Sequence, residues 1–513
     1  MKTCMVLLFL ACCFMGCDEQ LDVLPENSLT FVNALSSPQE FESALNGIER
    51  GVKDYSVAND PLRQEMKGVF YDEVVSWGYQ DVYMDYNSDE LQNRMVSWQL
   101  YYQVIASVNS VLNYVDEVKL SQELHDLYKG QALFFKALTY LRIIQRWGDC
   151  ILIRDNVELL PTPKTHWEEV AGYAIKLAQD AVKLLPEFDK MKDWRGKNYT
   201  YKAAPCKGSA NALLAYLCAW KAGGKYFANN QDYDENELWK RAEEACTSII
   251  NSGVYDLAAN PEEVCTSVLM ENSRESIYET VNIGYDKESD FGRDYVTEFL
   301  AYKSSYTMWP VTKTGIPEDI DYAQYKIRAS TAREMFHGND LRKESYFYKL
   351  DSMSKEPVSQ GYAYFYKYRR TLVDMQSGCS LNIYQNKVWW RLADIYLLRA
   401  ECRARLGGEY LEGAIQDLNE IRKRANAKLY ESSEYGGDLQ YAIFKEREKE
   451  LLLEGYRYFD IIRNGYVNKE LRGNFRTLSV QDMKDGALFL LIHEGAMGKN
   501  PLIRQNAYWH RRL

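Results

Sequence analysis

Glu450 and Glu454 stand one helical turn apart, which sets two carboxylates on one face of a helix and raises the chemistry of a glycosidase pair. Arg447 and Arg457 flank them, three residues away on either side. Guanidinium groups at that spacing pair with the carboxylates, so the set reads as a structural ion network. With 73 acidic residues in the chain, carboxylate pairs at any chosen spacing arise by chance. The five histidines show no HExxH or other paired-ligand spacing, and no GxSxG elbow, P-loop or GxGxxG occurs. Of 11 cysteines, those beyond Cys17 form neither CxxC pairs nor a regular disulfide spacing. Cys218 and Cys402 fall inside apolar helical patterns and read as small buried hydrophobes. Nothing here nominates a catalyst, a metal site or a cofactor.

The chain carries 40 Tyr, 11 Trp and 18 Phe, more rings than a helical scaffold needs for its core. A pyranose shows a patch of C–H bonds that lies flat on Trp or Tyr, while its hydroxyls require hydrogen-bond partners. Two segments offer flat rings beside amides and carboxylates. The first runs from Asp72 and Glu73 through Trp77 and Tyr79 to Tyr83 and Tyr86. The second holds Tyr295, Tyr302, Tyr306 and Trp309, with Tyr322 and Tyr325 beyond. The competing role of each ring is to pack its loop against the helices. Trp98 reads as core, and Trp389 and Trp390 as core or partner surface.

Helical patterns must position these segments. Residues 37–55 open with Ser37-Pro38-Gln39-Glu40, a cap, an N1 proline and an early acid, then carry Phe41, Leu45 and Ile48. A stripe from Leu100 to Val115 predicts a helix over 89–118, and another spans 121–147. Further helices are expected at 165–185, 206–222 and 237–252. Pairs of this length suit tetratricopeptide-like hairpins, although the strict consensus of about 34 residues is absent. From about 260 to 386 the chain turns rich in Asn, Asp, Gly, Pro and Tyr, with short strands expected at 275–281 and 362–368. So long an irregular insertion points to a functional role. Helix is expected to resume at Lys387, stop at Gly407-Gly408, return at 414–425 and again at 439–455. The fold class is mainly α: helical repeats over about 37–255 and 387–463, with a loop-rich, strand-bearing insertion between them, as one domain from 37 to 513.

A net charge of -11 with no basic stripe argues against nucleic acid and mildly against anionic polymers. At the start, Lys2 precedes an apolar run, Met5 to Met15, that has the size of a signal-peptide core and is too short to span a bilayer. Phe14-Met15-Gly16-Cys17 resembles a bacterial lipobox. That resemblance implies a signal peptide over 1–16, acylation of Cys17 and a tether over 17–36. Asp18 and Glu19 resemble the surface-export mark of Bacteroidetes lipoproteins.

Three stretches in order resemble the SusD/RagB family. They are Arg391 to Glu401 (RLADIYLLRAE), Ala414 to Ala425 (AIQDLNEIRKRA) and Arg447 to Arg463 (REKELLLEGYRYFDIIR). The helix end Ala132 to Gly148, the Asp340-Leu341-Arg342 triplet and the closing Asn500 to Asn506 (NPLIRQN) fit the same pattern. The resemblance implies tetratricopeptide-like hairpins with ligand-facing loops, on an outer-membrane lipoprotein exposed to the exterior. It also implies a partner, a SusC-like TonB-dependent β-barrel, and a glycan ligand held without catalysis. By position, the Asp72 to Tyr79 segment corresponds to a family loop of stacking rings. A peptide-capturing member, or less readily a surface glycoside hydrolase, is the alternative.

Overall fold

The computed structural model of the chain describes residues 35–57, 97–155, 160–281, 327–369, 371–373, 380–383, 385–471 and 473–513. Helix α1 (Pro38–Val57) starts as its sequence dictates: the Glu40 carboxylate accepts from the Ser36 and Ser37 N–H groups at 2.7 and 2.9 Å. Its stripe of Phe41, Leu45, Ile48, Val52 and Tyr55 is buried. Helix α2 (Gln99–Tyr114) is shorter than the expected 89–118, of which 89–96 lie outside the described residues. Helix α3 (Gln122–Trp147) is capped by the Ser121 side chain, which accepts from Leu124 N–H. Beyond its first turn α3 is buried almost all round, because α1, α2 and α4 (Trp167–Leu184) surround it.

Packing then proceeds in register, each helix on the next: α4 on α5 (Lys207–Gly223), and α5 on α6 (Glu235–Ile250). Helix α6 packs directly on α7 (Leu392–Leu406), although about 140 residues of insertion separate them in sequence. Helix α8 (Leu411–Arg424) completes a hairpin with α7, and α9 (Leu439–Glu450) lies against both. The chain between α7 and α8 turns at Gly407 with φ +69°, a left-handed conformation open to glycine without strain. The fold is thus mainly α, in tetratricopeptide-like hairpins, and no helix among the described residues is long and apolar enough to cross a membrane.

At Gly223 the close approach is to backbone as well as to a side chain. A Cβ at Gly223 would stand 2.5 Å from Arg463 Cγ and 2.6 Å from the Arg463 carbonyl oxygen. Its φ of -65° suits alanine, so helix propensity alone predicts a gain. The backbone oxygen cannot move aside, so Gly223→Ala is expected to destabilise by about 1–3 kcal/mol. A urea midpoint that rises instead would refute that close-packing account.

The insertion has its own small core of Val264, Leu269, Phe336, Phe347 and Phe365, seated against Leu452 and Leu453. Strand β1 (Ser276–Thr280) lies where the 275–281 pattern placed it. All five of its residues are buried, so its apparent alternation does not mark an exposed face. A second ladder pairs β2 (Thr371–Val373) with β3 (Ser380–Ile383). The expected strand at 362–368 is absent as a strand; Tyr362 and Phe365 form only isolated bridges to Arg328 and Phe347. Helix does not resume at Lys387 either. Lys387–Arg391 is β4, antiparallel to β1, and the helix opens at Leu392. The β-branched and aromatic run Val388-Trp389-Trp390 favours the extended form, and Trp389 Nε1–H donates to Thr280 Oγ1 across the ladder at 2.6 Å. Trp389 and Trp390 are therefore core residues of a strand, edge-on or tilted against Tyr278 and Phe134. Trp98 is core too, at the start of α2 against Trp147. Helix α9 ends at Glu450, short of the expected 455, in a turn where Leu453 and Gly455 have φ of +66° and +87°.

Candidate functional site

A cavity of about 310 Å³ opens between α1, α3 and the segment 193–205. Glu42, Asn46 and Glu49 line it from α1, Gln131 and Phe135 from α3, and Asn198, Tyr199 and Tyr201 from the connecting segment. That segment is pinned as a tight turn, with Asp193 Oδ1 accepting from Arg195 and Lys197 N–H at 2.9 and 2.8 Å. Glu42 accepts from Tyr128 O–H at 3.1 Å and Trp194 N–H at 2.8 Å. Burial raises its carboxyl above the usual range, against those two hydrogen bonds. Burial, followed by the Glu42 charge, raises the Tyr199 phenol, which stays protonated as a donor. Tyr201 leaves half its surface free. The cavity therefore offers carboxylates, amides and two phenol rings, a donor and acceptor set suited to a polyhydroxylated ligand.

Its rim also carries Val281, from which the chain enters residues 282–326. Helix α1 is the element that leads into residues 58–96. The two ring-bearing segments read from the sequence therefore leave from elements that line this cavity. Trp77, Tyr79, Tyr83, Tyr295, Tyr302, Tyr306, Trp309 and Tyr325 themselves lie outside the described residues, as does Cys17. Sequence reading did not single out Glu42, Asn46, Gln131 or Tyr199. Glu42, Asn46 and Glu49 stand on the flank of the α1 core stripe, roughly 100° around the helix from it, where periodicity assigns residues to solvent.

Glu450 and Glu454 do form an ion network, but with other partners than those expected. Arg391 binds both, at 2.8 Å to Glu450 Oε1 and 2.7 Å to Glu454 Oε1, and reaches Glu275 at 2.8 Å. Lys367 donates to Glu454 at 2.6 Å, and Arg424 holds Glu275 at 2.9 Å and also Glu450. Arg342 joins Asp340 at 2.8 Å to Glu446 at 2.6 Å, so the Asp340-Leu341-Arg342 triplet is structural. Arg447 instead pairs with Asp394 and Asp460, each at 2.8 Å, and Arg457 pairs with Glu448 and Glu470. The reason differs for the two: Glu454 lies past the end of α9, so its i, i+3 relation to Arg457 does not hold across the turn, whereas Arg447 shares the helix with Glu450 but is taken by the Asp394 and Asp460 carboxylates. Both glutamates are buried and saturated by cations, which leaves no room for a substrate between them.

The closing Asn500 to Asn506 segment is likewise a clasp. Gln505 exchanges two hydrogen bonds with the Ile492 backbone, and Asn506 donates to the Trp147 carbonyl at 3.1 Å. The six cysteines among the described residues beyond Cys17 are free and buried, as read for Cys218 and Cys402.

A sequence profile of the SusD family matches residues 275–509. A second SusD-like profile, described as starch-binding and associating with the outer membrane, matches residues 19–215. The chain belongs to the SusD family. A SusD-like protein of Bacteroides ovatus is 24% identical over 516 residues, spanning 94% of this chain and 86% of that one. SusD-like protein P25 of Formosa agariphila is 24% identical over 72% of this chain and 70% of its own. Among solved structures, a SusD homologue from Bacteroides thetaiotaomicron superposes with a TM-score of 0.73 at 21% identity, covering 92% of this chain and 98% of that one. Surface glycan-binding protein A from Bacteroides uniformis gives 0.66 at 18% identity, covering 92% and 100%. These likenesses establish the SusD fold. In this SusD-like chain the motifs that carry the resemblance are accounted for by buried ion pairs and backbone clasps. The cavity beside α1 stands apart from them.

Proposed function

We propose that this chain captures oligosaccharides, without turning them over, on the outer surface of a bacterial outer membrane. It would be anchored there through acylated Cys17 and would pass its ligand to a SusC-like TonB-dependent β-barrel. The observation that carries this reading is the match of the chain, over nearly its whole length, to a fold that includes a surface glycan-binding protein. The profile described as starch-binding and outer-membrane-associated adds support, and it spans the ring-bearing residues 72–86. The second ring-bearing segment leaves the described fold at the same cavity. Trp77, Tyr79, Tyr83, Tyr295, Tyr302, Tyr306, Trp309 and Tyr325 are assigned as candidate stacking platforms, and Glu42, Asn46 and Gln131 of the cavity as hydrogen-bond partners.

The test is binding of residues 18–513 to an array of neutral and acidic polysaccharides. Wild type is expected to bind at least one glycan class and release no product. Trp77→Ala and Tyr79→Ala are expected to weaken that binding roughly tenfold or more, about 1.4 kcal/mol, with circular dichroism unchanged. Binding to peptide pools alone would replace this reading with peptide capture, and release of shortened sugars would make the chain a hydrolase.

A further inference from the structure

A second cavity, of about 260 Å³, lies where the start of α4 meets the C-terminal segment, away from the cavity beside α1. Asp149 and Glu168 line it and the exposed His166 stands beside them, each of the three bringing one ligand-capable atom within 4.8 Å of the other two. Local backbone structure explains the gathering. Cys150 and Thr165 form an antiparallel bridge that sets Asp149 and His166 side by side, and Glu168 follows in the first turn of α4. Asp149 Oδ2 lies 3.2 Å from His166 Nδ1, while Asp149 Oδ1 accepts from Trp167 N–H at 3.0 Å. Glu168 is only 4% exposed and lines the cavity. Its Oε1 accepts from Asn230 N–H at 3.0 Å, and its Oε2 is buried with no hydrogen-bond partner. A buried carboxylate oxygen left without a donor is unfavourable unless something charged and positive completes it.

We propose that Asp149, His166 and Glu168 form a zinc site, with the fourth position open to the cavity. One imidazole and two carboxylates suit a borderline first-row cation better than calcium or magnesium, which take oxygen ligands alone. Ligand atoms on tetrahedral Zn²⁺, at bonds of about 2.0–2.1 Å, stand roughly 3.3 Å apart. The Asp149–His166 separation of 3.2 Å already meets this, and the Glu168 carboxylate, within 4.8 Å of both, moves in by up to about 1.5 Å to close the set. Several positive groups oppose a cation. The α4 N-terminus is the positive end of its dipole, Lys164 and Lys484 lie on the same cavity, and the Lys221 charge reaches Glu168. The Lys164 ammonium is occupied, donating to Asn506 Oδ1 at 2.9 Å. The two carboxylates outweigh the half-charge of the dipole.

The test titrates chelator-stripped chain (residues 18–513) with Zn²⁺ by calorimetry and with Co²⁺ by visible absorption. One equivalent of Zn²⁺ should bind, and Co²⁺ should show the intense bands of low coordination. His166→Ala and Glu168→Gln should each weaken Zn²⁺ roughly tenfold or more and abolish those bands. His166 is exposed, so its removal disturbs no packing, and the amide introduced by Glu168→Gln still offers an oxygen to the Asn230 N–H. Absence of stoichiometric binding would overturn the site. So would binding that survives either substitution, since His125, His337, His493 or His510 would then hold the metal.

Discussion

Replacing Arg391 by methionine is expected to remove about 3–5 kcal/mol of folding stability, the largest effect expected of any single change in this chain. Arg391 is fully buried and gives five hydrogen bonds: to Glu275, to the side chain and carbonyl of Glu450, and twice to Glu454. Methionine fills much of the same volume, so packing alone predicts a small change. The cost lies in what remains. Glu275 and Glu450 keep Arg424, and Glu450 also keeps Arg342, but Glu454 is left with Lys367 as its one cation. A buried carboxylate stripped of most of its compensation is expensive in a way that the loss of a surface pair is not. Glu454→Gln in the same background should recover part of the loss, because it removes the stranded charge. The two changes should therefore cost less together than the sum of each alone. Urea midpoints of the three variants measure this, and a loss below about 1 kcal/mol for Arg391→Met would refute the account.

The network also decides where the insertion joins the repeats. Glu275 precedes β1, Lys367 belongs to the insertion, Arg391 ends β4 and Arg424 ends α8. One guanidinium thus ties both ends of the insertion to the turn after α9, and β1 runs from that knot to Val281 on the cavity rim. Ligand binding should therefore fall with folded fraction in Arg391 variants, unlike in Trp77→Ala.

Much of this frame was legible in the sequence, because the repeats write their burial as a 3.6-residue stripe. Phe41, Leu45 and Ile48, and likewise Ala414, Leu418 and Ile421, are buried as their spacing demands. What failed to show were features set by partners distant in sequence. Val388-Trp389-Trp390 suits an extended form by residue type but stands at the head of a helical stripe, and pairing with β1, more than a hundred residues earlier, decides for the strand. The ion partners of Glu450 were hidden for the same reason: helix spacing names Arg447, whereas the fold delivers Arg391, Arg342 and Arg424. The Asp149, His166 and Glu168 cluster was missed because its spacing matches no local motif; a backbone bridge brings it together. The aromatic segments remain the part of the binding proposal that rests on sequence.

Acid should unfold this protein steeply, and the sign follows from which carboxyls are held down. Burial alone would raise Glu446, Glu450, Glu454 and Glu401, but the adjacent guanidinium groups reverse this and leave each below the ordinary range. A group lowered in the folded state contributes stability above its unfolded value, near 4.3 for Glu, and that contribution is lost as pH falls through the lower folded value. Four such groups give a limiting slope of about 5 kcal/mol per pH unit, from about 1.4 for each. Asp394, Asp417, Glu187 and Glu42 act in the opposite sense, because burial raises them. Their ionisation opposes folding at neutral pH, and that penalty disappears as pH falls through their raised folded values. Stability should therefore rise slightly on mild acidification from pH 7, then collapse once pH passes below about 4.3. Urea midpoints at stepped pH values would show a maximum on the acid side of neutrality and a steep fall beneath it. Glu401→Gln, which removes one lowered carboxyl from the Arg463 pair, should flatten the acid limb by about 1.4 kcal/mol per pH unit while lowering stability at pH 7. A profile flat down to pH 3 would mean that the buried ion network does not hold these protons off.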